Sequence, residues 1–212
     1  MACSIYARAA VYHQKFALAK VVHMHADLEL VNHCLSGDSL AQKELYDRFA
    51  PQMLGVCYRY VQNSHEAEDV LQDGFIRAFR YLKDFRGDGS LEGWLRRIMV
   101  TTALNYIKSQ KNFRAEFEIT MAREESVAEL DALERLENAE LMNLIQQLSP
   151  GYRAVLNLYA IEGYSHKEIG ALLDIGESTS RSQFARAKHW LLKKLTHLHS
   201  IGSENERTGS GK

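Results

Sequence analysis

Apolar residues recur every three or four positions through most of the chain, which is the period of an amphipathic α-helix. Four segments of the first half follow this pattern: Leu28–Leu35, Leu40–Val61, Ser64–Leu82 and Leu91–Lys111. Pro51 should break or kink the second helix, because proline has no amide hydrogen to donate. These long helical periods, with only 2 prolines in 212 residues, predict an all-α protein.

The Ser64–Leu82 helix has two sides of different character, and the pair Asn63 and Glu66 caps its start. Its apolar side consists of Ala67, Leu71, Phe75, Ala78 and Leu82. Its outer side carries Asp69, Gln72, Asp73, Ile76 and Arg80. An exposed isoleucine among acids and amides indicates a surface for a partner protein.

A glycine-rich loop, Phe85–Ser90, precedes the Leu91–Lys111 helix, which carries Trp94 and several basic residues. Aromatic and basic side chains beside such a loop can seat unstacked bases on a positive surface, as in single-strand binders. A large aromatic at helical spacing is more often a core residue, and Trp94 by itself fits that interpretation better.

The stretch Leu148–Leu195 contains start and stop signals for three helices. Ser149 is an N-cap candidate before Pro150, Gly163 ends that helix, and Ser165 with Glu168 forms a capping box. After a turn at Asp174–Gly176, a longer helix begins at Glu177. Its apolar stripe consists of Phe184, Ala187, Leu191, Leu195 and Leu198, and its opposite face presents Thr179, Ser182, Arg186 and Lys193.

A short helix, a glycine turn and a longer helix with a polar face are typical of a helix-turn-helix, whose second helix enters the DNA major groove. The alternative is an ordinary helical hairpin. The DNA interpretation is favoured because small hydroxyls, Gln183 and two arginines can reach base edges and phosphates.

Charge is unevenly distributed, although the net charge is only −1. Residues 114–140 contain nine acids and three bases, and basic side chains lie on both sides of this block. A charge run of this kind is often simply a solvated linker. The composition is that of soluble protein, with no apolar run long enough for a membrane span, and three scattered cysteines fit a reducing cytoplasm.

Residues 1–26 have no recognisable signal peptide, and Met24 is a plausible natural start. The nearby His23, His25, His33 and Cys34 match no usual zinc spacing, so we expect no metal site. The chain also has no phosphate loop and no nucleophile with an adjacent base. We therefore expect neither a cofactor nor an enzymatic activity.

Three motifs resemble the extracytoplasmic-function (ECF) sigma factors of bacterial RNA polymerase, and the resemblance covers about Leu28–Leu198. They are AEDVLQDGFIRAF from Ala67, FRGDGSLEGWLRRI followed by NYIKSQKN, and LSPGYRAVLNLYAIEGYSHKEIG followed by STSRSQFARAK. The resemblance implies a cytoplasmic promoter-recognition factor. Its implied partners are the beta-prime clamp helices and beta flap of core polymerase, promoter DNA, and an anti-sigma factor.

The resemblance also implies a role for each motif. The core-binding residues would be Asp69, Gln72, Asp73 and Ile76. The minus-ten DNA would contact Phe85, Arg86, Asp88, Ser90, Trp94, Arg97, Thr101, Asn105 and Lys108. The minus-thirty-five DNA would contact Ser178, Thr179, Arg181, Ser182, Gln183 and Arg186. The family often has an asparagine where this chain has Thr101, and a basic residue where it has Gln183. These two differences affect which promoter sequence we expect the chain to recognise.

The expected organisation is two small helical domains joined by an acidic linker. The extension spans residues 1–26, the region 2 domain 27–113, the linker 114–131, the region 4 domain 132–199 and a disordered tail 200–212. The acidic linker would thread toward the active-site cleft and the RNA exit path. The alternative function is a stand-alone helix-turn-helix regulator with an N-terminal sensing or dimerisation domain.

Overall fold

The computed structural model describes the backbone of residues 24–110 and 138–208, and the side chains of residues 24–110 and 141–196. The described residues form helices and no strand, which confirms the all-α prediction. The helices are α1 (24–35), α2 (Ser39–Tyr58), α3 (Ser64–Tyr81), α4 (Leu91–Ser109), α5 (Asn138–Gln147), α6 (Pro150–Leu156), α7 (His166–Leu173) and α8 (Glu177–Thr208). Among them, none has an apolar stretch that could span a lipid bilayer.

The described residues fall into two packed units. The first comprises residues 24–56 and Glu68–Thr101, and the second comprises Cys57–Ala67 with residues 102–110 and 138–208. The predicted acidic linker, 114–131, and the chain before Met24 lie outside the described residues.

The buried side of α3 is the one that the sequence predicts. Ala67, Leu71, Phe75 and Ala78 are buried, as is Leu82 in the 3-10 turn that follows. The ring of Phe75 contacts the Tyr46 ring of α2, with centroids 4.7 Å apart. A Cβ atom at Gly74 would meet the thioether end of the Met99 side chain, so glycine lets that side chain of α4 pack closely against α3.

α2 continues through Pro51, so the predicted break at this residue is wrong. Pro51 is exposed, whereas Phe49 and Met53 on either side of it are buried. The apolar face therefore anchors the helix on both sides of the proline, and packing of this kind supplies most of the stability of a helix in a protein.

The core of the second unit joins α5, α6 and α8. It consists of Leu144, Ile145, Leu148, Leu156, Ala187, Leu191 and Leu195, with Phe184 and Trp190 partly buried against it. This confirms the predicted stripe of α8 from Phe184 to Leu195, and the side chain of Leu198 lies outside the described ones. The helix runs on to Thr208, so the disordered tail predicted from Ser200 is wrong up to that residue. Adding residues to an existing helix avoids the free-energy cost of nucleating a new one.

A π-helical turn, Asn157–Ile161, follows α6 directly. The chain then turns at Gly163, whose φ of 77° suits a residue without a side chain. At the other end of α6, Ser149 is the N-cap residue, as predicted. Its hydroxyl makes no capping bond, and its carbonyl accepts the first helical bond from the amide of Arg153 at 3.0 Å.

Candidate nucleic-acid and polymerase interfaces

The α7 helix begins with the predicted capping box. The Glu168 carboxylate accepts a hydrogen bond from the Ser165 amide at 2.8 Å, and the Ser165 hydroxyl accepts one from the Glu168 amide at 3.3 Å. Bonds from the Ser165 side chain and, next, from its backbone lower the pKa of Glu168. The pair Ser165 and Glu168 therefore determines where the first helix of the helix-turn-helix begins.

The turn between α7 and α8 is tight. Asp174 adopts a left-handed conformation with a φ of 59°, and the amide of Ile175 donates to the carbonyl of Gly170 at 3.0 Å. A Cβ atom on Gly170 would lie 2.8 Å from the Ile175 carbonyl oxygen. The close approach of α7 to its own turn thus depends on glycine at position 170.

His166, which the sequence analysis did not single out, links the two helices. Its Nδ1 lies 3.0 Å from Oγ of the buried Ser180 on α8, and its ring stacks on Tyr159 with centroids 4.3 Å apart. Burial, followed by the charge of Arg181, lowers the pKa of His166, and the charge of Glu177 opposes the shift. No spacing signal identifies such a residue, because its role depends on a partner 14 residues away.

The predicted DNA-facing residues of α8 differ in exposure. Ser178 and Arg181 are exposed, and the Arg181 guanidinium pairs with Glu177 at 2.5 Å. The remaining predicted contacts that stay partly accessible are Thr179, Ser182 and Arg186. They lie on the first turns of α8, as expected for a recognition helix.

Gln183 is only 2% exposed, so its predicted place among residues that reach DNA bases is wrong. Ala187, Leu191 and Leu195 follow it at intervals of four residues, and all three are buried. Gln183 therefore continues the apolar stripe by one helical turn. Its polarity made it look like a surface residue.

A cavity of about 400 Å³ lies at the loop before α4. It is lined by Asp84, Phe85, Arg86, Asp88, Gly89, Ser90, Gly93, Trp94 and Arg97. Six of the nine predicted minus-ten residues are in this set: Phe85, Arg86, Asp88, Ser90, Trp94 and Arg97. Asp84, Gly89 and Gly93 also line the cavity and were not predicted; of these, only Gly89 lies within the predicted loop.

Two aromatic rings shape this cavity. The Phe85 and Trp94 centroids are 5.7 Å apart at an interplanar angle of 60°, and both side chains are half-buried. Trp94 is therefore not a fully buried core residue. The Ser90 hydroxyl accepts from the Gly93 amide at 3.1 Å, which holds the loop at the start of α4.

The other three predicted minus-ten residues lie further along α4. Thr101, Asn105 and Lys108 follow Arg97 at intervals of four, four and three residues, which places them along one face of the helix. Thr101 and Asn105 are exposed, whereas the Lys108 ammonium group donates to the carbonyl of Leu172 at the end of α7. These three residues do not line the cavity.

The outer face of α3 is accessible, as predicted. Asp69, Gln72 and Asp73 are exposed, and Ile76 keeps 57% of its surface exposed. The free energy falls when a partner covers an exposed isoleucine, because apolar surface is removed from water.

Two family models match the chain. Sigma-70 region 2 matches residues 45–113, and Sigma-70 region 4 matches residues 138–191. The first contains the α3 face and the cavity, and the second contains α7 and the first turns of α8.

Full-length relatives extend the match. The RNA polymerase sigma-H factor of Pseudomonas aeruginosa is 32% identical, over 81% of this chain and 95% of the relative. The ECF RNA polymerase sigma-E factor of Escherichia coli (strain K12) is 31% identical over the same shares. Among solved structures, the sigma factor RpoE in complex with the anti-sigma factor NepR from Bartonella quintana has a TM-score of 0.46 at 23% identity, covering 73% of this chain and 96% of that one.

The two matched regions stand in the family's order, and the named relatives match along nearly their whole length. A stand-alone helix-turn-helix regulator would have no reason to carry region 2. The chain belongs to the sigma-70 family of RNA polymerase sigma factors, within its extracytoplasmic-function group.

Proposed function

We propose that this sigma factor holds its partners on four surfaces while it directs RNA polymerase core to promoters and helps to open the DNA. The outer face of α3 docks on the beta-prime clamp helices. The cavity beside α4, with Thr101, Asn105 and Lys108, holds the minus-ten strand. The start of α8 enters the minus-thirty-five duplex, and the region 4 helices meet the beta flap. RNA synthesis belongs to the polymerase, and the chain acts with it in the cytoplasm without a catalytic role of its own.

The cavity is the observation that carries this proposal. Its volume of about 400 Å³ lies in the range of small-ligand pockets, roughly 300–1,000 Å³. The rings of Phe85 and Trp94 offer faces and edges on which an unstacked base can stack, and Arg86 and Arg97 supply positive charge for phosphates. Asp84 and Asp88 can accept hydrogen bonds from base amino groups. Only a separated strand can present its bases in this way, so the cavity favours a role in melting.

Replacement of one aromatic wall tests the proposal. Trp94→Ala should spare assembly with core polymerase and reduce strand opening, because base–aromatic stacking is worth about 1–3 kcal/mol. Permanganate reactivity of thymines in the minus-ten region measures opening directly. Tyr81→Ala is the matched control, since Tyr81 is an exposed aromatic residue of the same unit that does not line the cavity. Normal opening by Trp94→Ala, with both variants bound to core, would contradict the assignment.

Family membership also supports an anti-sigma factor as the protein that holds the chain inactive. Such an inhibitor would have to cover the α3 face or the DNA-contacting surfaces to compete with polymerase and promoter. Co-purification of the chain with a second protein that core polymerase displaces would support this part of the proposal. Recovery of the untreated chain as a fully active monomer would oppose it.

A further inference from the structure

One residue of the loop beside the cavity does not belong to the cavity wall. Of residues 84–90, all except Gly87 line the cavity. Gly87 has a φ of 75°, in the left-handed region that favours glycine. It is partly buried, whereas Arg86 and Asp88 on either side of it are exposed. Gly87 therefore lies against another part of the chain.

That part is the first helix, α1. Apart from the neighbours of Gly87 in the chain, the three heavy atoms nearest to the position of a Cβ atom on this glycine all belong to Leu28. They are Cδ2 at 3.0 Å, Cδ1 at 3.4 Å and Cγ at 3.5 Å. Because glycine has no side chain, the isobutyl group of Leu28 packs directly on the backbone of the loop.

Hydrogen bonds hold the two ends of the loop but not its middle. The amide of Phe85 donates to the carbonyl of Leu82 at 3.1 Å, and the Ser90 hydroxyl accepts from the Gly93 amide at 3.1 Å. Between these ends, residues 86–89 make no hydrogen bond with any part of the chain that the structure describes. A segment with so few bonds opens easily unless packing restrains it. The contact with Leu28 supplies such a restraint.

The helix that carries Leu28 is itself firmly held. Asp27, the preceding residue, is buried, and its carboxylate pairs with the guanidinium of Arg48 on α2 at 2.9 Å. Leu30 and Val31, which follow, are buried in the same packed unit. Leu28 is only partly buried, so it lies at the edge of this core. The backbone of α1 is thus fixed on both sides of the residue that contacts the loop.

We propose that Leu28 is a positioning residue for the minus-ten strand. By packing on Gly87, it keeps Phe85 and Arg86 in their places at the cavity. Leu28 does not line the cavity, so it acts through the loop and not by contact with DNA. The inference rests on the proposed function of the cavity. If only a fraction of the molecules has the loop in the binding arrangement, the observed affinity falls by that fraction.

Fluorescence of Trp94 tests whether Leu28 holds the loop, in the full chain without polymerase or DNA. The chain has two tryptophans, so Trp190→Phe leaves Trp94 as the single reporter. The Phe85 ring packs against Trp94, with centroids 5.7 Å apart. Leu28→Ala should increase the quenching of Trp94 by acrylamide, because a loosened loop lets Phe85 move away. Equal quenching with and without Leu28→Ala would overturn the proposal, even if the melting temperature falls.

Two further variants control this measurement. Leu28→Met should restore the quenching of the Trp190→Phe chain, because methionine has about the volume of leucine and exchanges for it at little cost. Leu35→Ala is the matched control, since Leu35 is another leucine of α1, is 49% exposed and is not among the atoms nearest to Gly87. Circular dichroism checks that each variant keeps its helical content. A rise in quenching for Leu35→Ala as large as that for Leu28→Ala would contradict a specific role of Leu28.

Binding of the minus-ten strand tests the consequence for function. Holoenzymes assembled with each variant are titrated with a fluorescent single-stranded oligonucleotide, the non-template minus-ten strand of a promoter that the wild-type holoenzyme opens. Leu28→Ala should weaken binding about three- to ten-fold, as expected when a binding loop loses its preorganisation. Leu28→Met and Leu35→Ala should bind like the wild type. Pull-down of core polymerase should be unchanged in all three, because the α3 face is intact.

Trp94→Ala separates the possible failures in the same titration. Weaker binding by Trp94→Ala together with wild-type binding by Leu28→Ala would leave the cavity its proposed function and overturn the role of Leu28. Wild-type binding by both variants would contradict the proposed function of the cavity, and this inference with it. Weaker binding by both, with rescue by Leu28→Met, is the result that we expect.

Discussion

The imidazole of His166 is a small buried group on which the geometry of the helix-turn-helix depends. It is held between the ring of Tyr159 and the hydroxyl of Ser180, and burial keeps its pKa below the ordinary value of 6.5. The folded chain therefore prefers the neutral ring. The stability that this preference contributes is complete above pH 6.5 and is lost as the pH falls through the lowered pKa.

We expect the melting temperature to fall as the pH is lowered from about 7.5 to 5.5. His166→Gln should flatten this part of the curve, because glutamine cannot bind the proton. His65→Gln, at an exposed position, should retain the fall. Glu168 acts in the same direction in a lower range, since its pKa is lowered from 4.5. Thermal denaturation followed by circular dichroism measures the three curves, and a His166→Gln curve that parallels the wild type would exclude this role.

Gln183 is a single residue whose burial was not predicted from the sequence. Polarity was read as exposure, although the spacing to Ala187 and Leu191 already placed the residue on the buried stripe. Ser165, Glu168 and Gly163 were predicted correctly, because caps and turns depend on neighbours close in sequence. The partners of His166 and Arg153 are distant in sequence, so no local pattern revealed them.

We predict that Gln183→Ala lowers the free energy of unfolding by about 1–2 kcal/mol, the usual cost of truncating a buried side chain of this kind. Promoter choice should be unchanged, because a buried side chain does not reach DNA. Chemical denaturation measures the first quantity, and binding to a set of minus-thirty-five variants measures the second. A changed base preference at full stability would return Gln183 to the recognition surface.

Among the elements, α3 buries one face in the core and leaves the opposite face, which we propose as a binding surface, exposed. We predict that Gln72→Ala with Ile76→Ala weakens the binding of core polymerase by about ten-fold or more, without unfolding the chain, since residues at interface centres carry most of the binding energy. Leu40→Ala is the control, because Leu40 is an apolar residue of the same unit that is 76% exposed and lies outside this face. Quantitative pull-down measures both variants, and wild-type binding by the double variant would rule out the α3 face as the anchor.

Position along α8 should separate two kinds of basic residue. We predict that Arg186→Ala weakens binding in a base-dependent way by about 1–3 kcal/mol if the guanidinium contacts guanine, or uniformly if it contacts phosphate. Lys193 lies about two turns further on, so Lys193→Ala should have a smaller effect. Equal and small losses for both variants, across a panel of upstream-element sequences, would remove Arg186 from the recognition surface.

At the scale of the whole molecule, helical periodicity predicted the number and type of most elements. It did not predict that α2 runs through Pro51, because the buried neighbours of the proline maintain the helix. It also did not predict that Cys57–Ala67 packs with the C-terminal helices. That grouping depends on the buried side chains of Arg153 and Asn157, residue types that are mostly found at the surface.

The contact between Lys108 and Leu172 has a consequence for how this factor competes with non-promoter DNA. Chromosomal DNA offers an enormous excess of non-promoter sites, and each phosphate contact that a protein makes there releases about 0.9 counterions. If Lys108 is a phosphate contact, as we propose, a chain that keeps its ammonium group on the carbonyl of Leu172 has one contact fewer to offer to random sequence, and we expect it to bind non-promoter DNA less tightly.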